Sequence, residues 1–452
     1  MKYQAIPAPD WLSRGAVYQI NPRTFCREGT LCAVTAALPD LKTMGFETVY
    51  LCPIFQADDS QDRSFWSDRQ KKYGTENPKN PYRMNDYFTI DEEYGTMEDL
   101  RTLIAAAHGL KMHVLLDLVY LHIGPNAPIL RQHPEFAQQD AEGQIVNGRW
   151  HFPLLDYSCP GLREYLWCNM VYYIGALDAD GFRCDVGDGV PLDFWAEGRR
   201  RIRAVKPDAV LINEGTNWQY LLEAFDSCYY FDWHEKLYAV FCGDTSPRAL
   251  REMSGDIQAK APAGALLLRD IDNHDTVTDW PARTEIAAGH DGMEQIEVIN
   301  YLIDGIPMVY CGNELADAAN INMFANRFHM GSYEVTDRQN IGDDGLRRRA
   351  LMTRLNALKK ESNLLRYGRT FWPDHDRPDQ VLCFRRETET EALLFVGNTG
   401  REMVTVTLRG DTPAGAVLLE NGCTRIAGAA VTLAPHGYLV LTRSEGGNRH
   451  AL

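Results

Sequence analysis

Short apolar runs alternate with longer stretches of helical pattern over most of the chain. The short runs at 16–20, 48–51, 113–119, 181–185, 209–212, 229–231, 265–268 and 308–310 predict strands. The longer stretches at 32–44, 97–108, 162–175, 192–205, 218–225, 247–257, 293–303 and 346–360 predict helices. The helix beginning at Met97 has a capping box, with Thr96 as N-cap and Asp99 placed to reach back to it. Strands that alternate with helices make parallel β/α units. Eight such units suggest a closed (β/α)8 barrel over 1–122 and 161–366, and the count alone also allows a doubly wound sheet.

Two connections are too long to be plain turns. Residues 54–91 follow the second strand and are rich in Asp, Asn, Pro and Tyr, while 123–160 follow the third and carry Gly, Pro and His. Long loops usually serve a function. Both follow strands, which places them on the C-terminal face of a barrel, where active sites are built. After about Tyr367 the texture changes: 381–386, 392–398, 404–408, 416–420 and 438–442 read as strands separated by Gly, Asn, Asp and Pro. Residues 367–452 are therefore expected to form a C-terminal antiparallel β-sandwich.

Composition narrows the partners. The 452 residues are 45% hydrophobic, enough for a sizeable core, and carry a net charge of −16. An acidic surface argues against nucleic acid or an anionic membrane. No apolar stretch approaches the length of about 18 residues that a membrane span needs. The opening Met-Lys-Tyr-Gln-Ala-Ile-Pro-Ala-Pro has no apolar core for a signal peptide. There are 11 cysteines, an odd number with no CxxC pair, and Cys52, Cys184, Cys311 and Cys383 lie inside apolar runs. They read as reduced core thiols of a cytoplasmic protein. Nothing in the sequence sets an oligomeric state.

The informative residues are acids at predicted strand ends. Asp117 ends the third strand, Asp185 the fourth and Glu214 the fifth, and Asp275 follows the seventh. Any one of them could be a solvated loop acid. Four in matching positions of a barrel would meet at one mouth, and buried carboxylates are costly unless paired or used. Convergent carboxylates without a histidine cluster for a metal suggest glycoside hydrolysis. One carboxylate attacks the anomeric carbon while a second, with raised pKa, protonates the leaving oxygen. Arg183 shares a strand face with Asp185 by the period of two and could hold it ionised. His122 and His274 could bond sugar hydroxyls, though a histidine is more often a structural hydrogen-bonder.

These segments together resemble the four short conserved regions of the α-amylase family of glycoside hydrolases. Asp-Leu-Val-Tyr-Leu-His at 117–122 resembles the first, Gly-Phe-Arg-Cys-Asp at 181–185 the second, Glu214 the third, and Asn-His-Asp at 273–275 the fourth. The resemblance extends to 16–25, to Asn80-Pro-Tyr with the segment that follows, to 305–314, and to the tail ending at 434–441. It implies Asp185 as nucleophile, Glu214 as general acid/base and Asp275 as the transition-state carboxylate. It also implies Tyr82 stacking on the −1 sugar, with Asp117, His122, Arg183 and His274 positioning it. Residues 123–160 would be a short domain B excursion.

Two departures stand out. Leu121 occupies the place where the family often has an asparagine on a structural calcium, and it cannot ligate a hard cation, which argues against the usual calcium site while leaving a structural calcium open; no metal ligand is assigned. Asp188 and Gly189 replace the Lys-His that often meets the +1 sugar, so the acceptor side is expected to be remodelled. The loop 58–80, with Trp66, Lys71, Lys72 and Tyr73, is a candidate to rebuild that side. The expectation is a retaining α-glycosidase of soluble oligosaccharides that needs no cofactor. The rivals are a transglycosylase or sugar isomerase using the same intermediate, and a non-catalytic glycan-binding relative.

Overall fold

The computed structural model describes residues 3–319, 321–328, 334–410 and 415–444. Eight parallel strands form the central sheet: β1 Val17–Ile20, β2 Thr48–Leu51, β3 His113–Leu118, β4 Gly181–Cys184, β5 Val210–Asn213, β6 Ser227–Cys228, β7 Leu268–Arg269 and β8 Ile306–Tyr310. Their order is β6-β5-β4-β3-β2-β1-β8-β7. One parallel bridge, Cys228↔Leu267, joins β6 to β7 and closes the ring. The chain is thus a (β/α)8 barrel with a C-terminal β domain. Helices cover the outside of the strands and side chains fill the inside, so the strand sequences are almost continuously apolar. Tyr50, Leu115, Val210, Ile212 and Met308 pack together as one cluster.

The expected helices are present within a few residues. The capping box at Thr96 forms, with the Thr96 hydroxyl accepting from the Asp99 N–H and the Asp99 carboxylate accepting from the Thr96 N–H. Two strands are shifted. The sixth, expected at 229–231, is Ser227–Cys228, and the seventh, expected at 265–268, is Leu268–Arg269. The aromatic run Tyr-Tyr-Phe-Asp-Trp looks like a strand. Instead, Phe231 begins the helix Phe231–Cys242, which buries Trp233, Leu237, Val240 and Phe241 at helical spacing.

The long connection after β2 begins and ends in a hairpin of Phe55–Ala57 with Met84–Ile90. The connection after β3 contains the helix Pro128–Gln132 and a narrow ribbon held by the bridges Gln139↔Ile145 and Asn147↔Pro153. The C-terminal strands are β9 Arg369–Phe371, β10 Val381–Glu387, β11 Glu391–Asn398, β12 Val404–Thr407, β13 Ala416–Ala427 and β14 Ala430–Ser444. They form one antiparallel sheet ordered β9-β10-β11-β14-β12, with β13 also paired to β14. Strand β14 pairs with β12 through its first residues and with β11 through its last. Val381, Val396, Val406, Val431 and Leu439 from both halves share one core, so the sheet folds over on itself. Among the described residues no helix is long and apolar enough to cross a membrane. All eleven cysteines are unpaired.

Candidate active site

Strand β4 carries the centre of the site. Its first residue, Gly181, has φ +152, and a Cβ there would lie 2.3 Å from the Val210 carbonyl oxygen, so only glycine fits against β5. The register that results pairs Asp117 of β3 with Arg183 of β4. Arg183 is fully buried, and its Nη1 donates to Asp117 Oδ1 at 2.9 Å and Oδ2 at 3.0 Å and to Asp185 Oδ1 at 2.8 Å. Its Nη2 lies 2.6 Å from Glu214 Oε1, a close ion pair without hydrogen-bond alignment. A single cation therefore serves three acids. Tyr50 Oη donates to Asp117 Oδ2 at 2.5 Å and fixes that carboxylate from below.

Val186, directly after Asp185, sits in the left-handed region at φ 42, ψ 46. A β-branched residue there costs about 1–3 kcal/mol. In this conformation its N–H donates to Glu214 Oε2 at 2.7 Å, so the strained residue links Asp185 to the acid on the next strand. Asp188 accepts from Asn213 Nδ2 at 2.8 Å and from the N–H groups of Thr216 and Asn217 at 2.9 and 3.0 Å. It thus ties down the loop that follows Glu214. A Cβ on Gly215 would sit 2.3 Å from the Asp188 carboxyl carbon, which explains the glycine.

On the other side lie His274 and Asp275, after β7. Tyr82 stacks on His274 with ring centroids 5.3 Å apart and 17° between planes. Tyr82 Oη bonds His274 Nε2 at 2.6 Å, and the Gln19 amide bonds Nδ1 at 2.9 Å. His122 Nε2 donates to the Tyr82 carbonyl at 2.8 Å, and its ring packs near Phe152. Asp275 Oδ1 accepts from Arg69 Nη1 at 2.8 Å, and Arg69 Nε also donates to Asp279 Oδ1 at 2.9 Å.

Burial governs the protonation states. It pushes Glu214 up to about 8 against the pull of Arg183, with the charges of Asp185 and Asp275 adding to the rise. It pushes Asp185 up to about 7 and Asp117 up to about 6, again opposed by Arg183. Burial brings His122 and His274 down to about 4, so both are neutral hydrogen-bonding groups at pH 7. Asp275 is different. Burial alone would raise it, but attraction to His274 and Arg69 outweighs burial and holds it well below the usual carboxylate range. Since His274 is neutral above about pH 4, Arg69 is the cation that keeps Asp275 charged near neutrality.

Asp185, Glu214, Asp275, Tyr82, His122 and His274 line one cavity of about 380 Å³. Asp117 and Arg183 do not reach it; they are buried beneath it and act on the lining groups. The sequence reading missed Arg69, Asp279, Trp150 and Phe231, which also line the cavity. Of the loop residues it named, Trp66 is scaffold, with its indole donating to the Ser60 carbonyl at 2.9 Å. Tyr73 Oη bonds the Thr278 carbonyl, so this loop stands beside Asp275. Among the described residues no His/Cys/Asp/Glu group is arranged to hold a metal ion.

Residues 12–143 match the family model described as alpha amylase, catalytic domain. An intracellular maltogenic amylase of Bacillus subtilis is 25% identical over 89% of this chain and 71% of its own length. A cyclomaltodextrinase of Thermoanaerobacter pseudethanolicus is 22% identical over 89% of this chain and 73% of its own. Among solved structures, a noncanonic maltogenic α-amylase from Thermotoga neapolitana superposes with a TM-score of 0.80 at 23% identity, covering 96% of this chain and 100% of that one. This last likeness speaks for the fold.

Proposed function

We propose, for a chain that belongs to the α-amylase family of glycoside hydrolases, that it cleaves α-glucosidic bonds of soluble oligosaccharides with net retention. The observation that carries this reading is the Arg183 guanidinium shared by Asp185 and Glu214, with Asp275 in the same cavity. A retaining glycosidase needs its two carboxyls about 5–5.5 Å apart. One guanidinium touches both carboxyls, so they are neighbours at one mouth, and their separation is what retention requires to be short.

Glu214, raised by burial, holds a proton near neutrality and gives it to the leaving oxygen. Asp185, held by Arg183 Nη1, attacks the anomeric carbon to give a glycosyl ester. Glu214, now a base, takes a proton from the incoming water, whose oxygen forms the new bond to the anomeric carbon as the Asp185 ester breaks. Asp275, kept charged, binds the hydroxyl edge of the ring, and those bonds tighten as the ring flattens. Tyr82 offers its face to the sugar, neutral His122 bonds a hydroxyl, and His274 holds the Tyr82 hydroxyl in place. Asp117 acts through Arg183.

We assign no metal to the reaction, since Leu121 stands at the usual calcium position. We place the enzyme in the cytoplasm on the strength of its eleven free thiols and its intracellular relative. The test is a chromatographic product profile on maltotriose, isomaltotriose, sucrose and trehalose, with Asp185→Asn as control. Shorter sugars absent from the control support hydrolysis. Longer or rearranged sugars would assign the same intermediate to transglycosylation or isomerisation. No turnover of any α-glucoside, or an equally active control, would refute the reading.

A further inference from the structure

Resting on the reading above, the geometry points to Arg69 as the end stop of the sugar-binding cleft, so that only the terminal, non-reducing glucosyl unit of a short oligosaccharide can occupy the −1 position.

Arg69 bridges two loops that are far apart in sequence. It comes from the short helix Asp68–Lys72 in the loop after β2, yet its guanidinium joins Asp275 and Asp279, which follow β7. The loop that carries it is built in. Thr75 Oγ1 and Asn77 Nδ2 both donate to the Phe324 carbonyl at 3.0 Å, and Tyr73 Oη bonds Thr278. The buried Arg83 donates to the carbonyls of Phe65 and Pro78 at 2.6 and 2.8 Å. Three separate loops are thereby stitched into one wall beside Asp275.

The leaving oxygen must lie at Glu214, on β5, next to Asp185 on β4. From there the ring extends away from the acid and presents its hydroxyl edge to Asp275. In this proposal the far end of that ring meets Arg69, Asp279, Met323 and Phe324, which line the cavity together with Asp275. One Asp275 oxygen is taken by Arg69, which fixes the carboxylate from the loop side and leaves its other oxygen for the sugar. The cavity, about 380 Å³, is at the small end of ligand pockets, which run roughly 300–1,000 Å³. The ribbon tip, with Trp150 beside His122, and Phe231 also border it and leave the remaining sides for the acceptor.

The consequence sets this chain apart from a relative that is a cyclomaltodextrinase, because a ring of sugars has no end to insert. The experiment compares maltotetraose, maltotetraose capped at its non-reducing end as a 4,6-O-ethylidene acetal, and a cyclic maltooligosaccharide. It uses the full-length enzyme with Arg69→Ala, Arg69→Lys and Asp279→Asn. The native enzyme should favour the open substrate over the capped and cyclic ones by about 100-fold or more. Arg69→Ala should narrow that ratio at least tenfold. Arg69→Lys and Asp279→Asn, which keep a cation or one arm of the clamp, should fall between and serve if Arg69→Ala does not fold. A structural defect lowers every rate but leaves the ratio alone. Native cleavage of the capped sugar within about threefold of the open one, or an unchanged ratio in all folded variants, would overturn the proposal while sparing the glycosidase reading. Absence of turnover on all three sugars would overturn both.

Discussion

Replacing Asp185 by Asn should make the protein more stable, and by an amount that depends on pH. The Asp185 carboxyl is buried and its pKa is pushed up to about 7, against an ordinary value of 3.8. Between these two values the folded chain keeps a proton that the unfolded chain has released. The unfolded state then binds fewer protons, so native stability falls as pH rises through that window. The slope is about 1.4 kcal/mol per pH unit, and a window of about three units gives an upper bound near 4 kcal/mol. Asn cannot ionise and has the shape of the protonated acid. Glu214 and Asp117 regain part of the difference by sharing Arg183 between two acids rather than three. The expected gain for Asp185→Asn is therefore close to zero below about pH 3 and rises to about 2–4 kcal/mol above about pH 7.5. The assay is urea unfolding of both proteins followed by tryptophan fluorescence across this range, with equal m-values required for the comparison. A stability difference that stays constant with pH, or a variant weaker than the native protein at alkaline pH, would refute the reasoning. The same substitution should cut turnover by about 10³-fold or more, measured on whichever substrate the product profile identifies.

Three further outcomes are expected. The native pH profile of kcat/KM should be bell-shaped and narrow, falling at low pH as Asp185 takes up a proton and at high pH as Glu214 loses one, with both limbs belonging to the coupled pair. Glu214→Gln assayed on an aryl glucoside with a good leaving group should lose the alkaline limb; a retained limb would remove Glu214 from the acid role. Asp188→Ala removes the acceptor of the Asn213 amide and of the exposed Thr216 and Asn217 N–H groups, and should cost about 0.5–1.5 kcal/mol in urea unfolding; a neutral effect would show that solvent replaces these bonds. Prolonged dialysis against EDTA should leave the melting temperature unchanged, and a drop of several degrees would reveal a metal requirement.

The barrel could be read from the sequence because both faces of each strand are buried, which produces short, almost continuously apolar runs. The acids at strand ends were legible because a parallel barrel sends all its strand C-termini to one face. Reading failed where two residues suffice for a strand, as at Ser227–Cys228, and where an aromatic run carries no period of its own. Arg69 was hidden for a different reason. It lies in a five-residue helix inside an irregular loop, and its partners are about 200 residues away, so neither periodicity nor local spacing marks it. Asp188 was noticed as a departure, but its work as a tie on backbone N–H groups becomes visible only when the loop after Glu214 folds back over it.

The single bridge that closes the ring between β6 and β7 has consequences for motion and for descent. Asp185 and Glu214 hang from β4 and β5, which pair along four residues each, whereas Asp275 hangs from the far side of the thinnest joint in the hoop. Thermal breathing at that joint shifts Asp275 relative to the other two acids more readily than it separates them from each other. Backbone amides of β6 and β7 should accordingly exchange with solvent ahead of those in β4 and β5. Substitutions along this seam can then retune the grip on the sugar without touching an acid, so a lineage could move between substrates there while its reaction stayed the same.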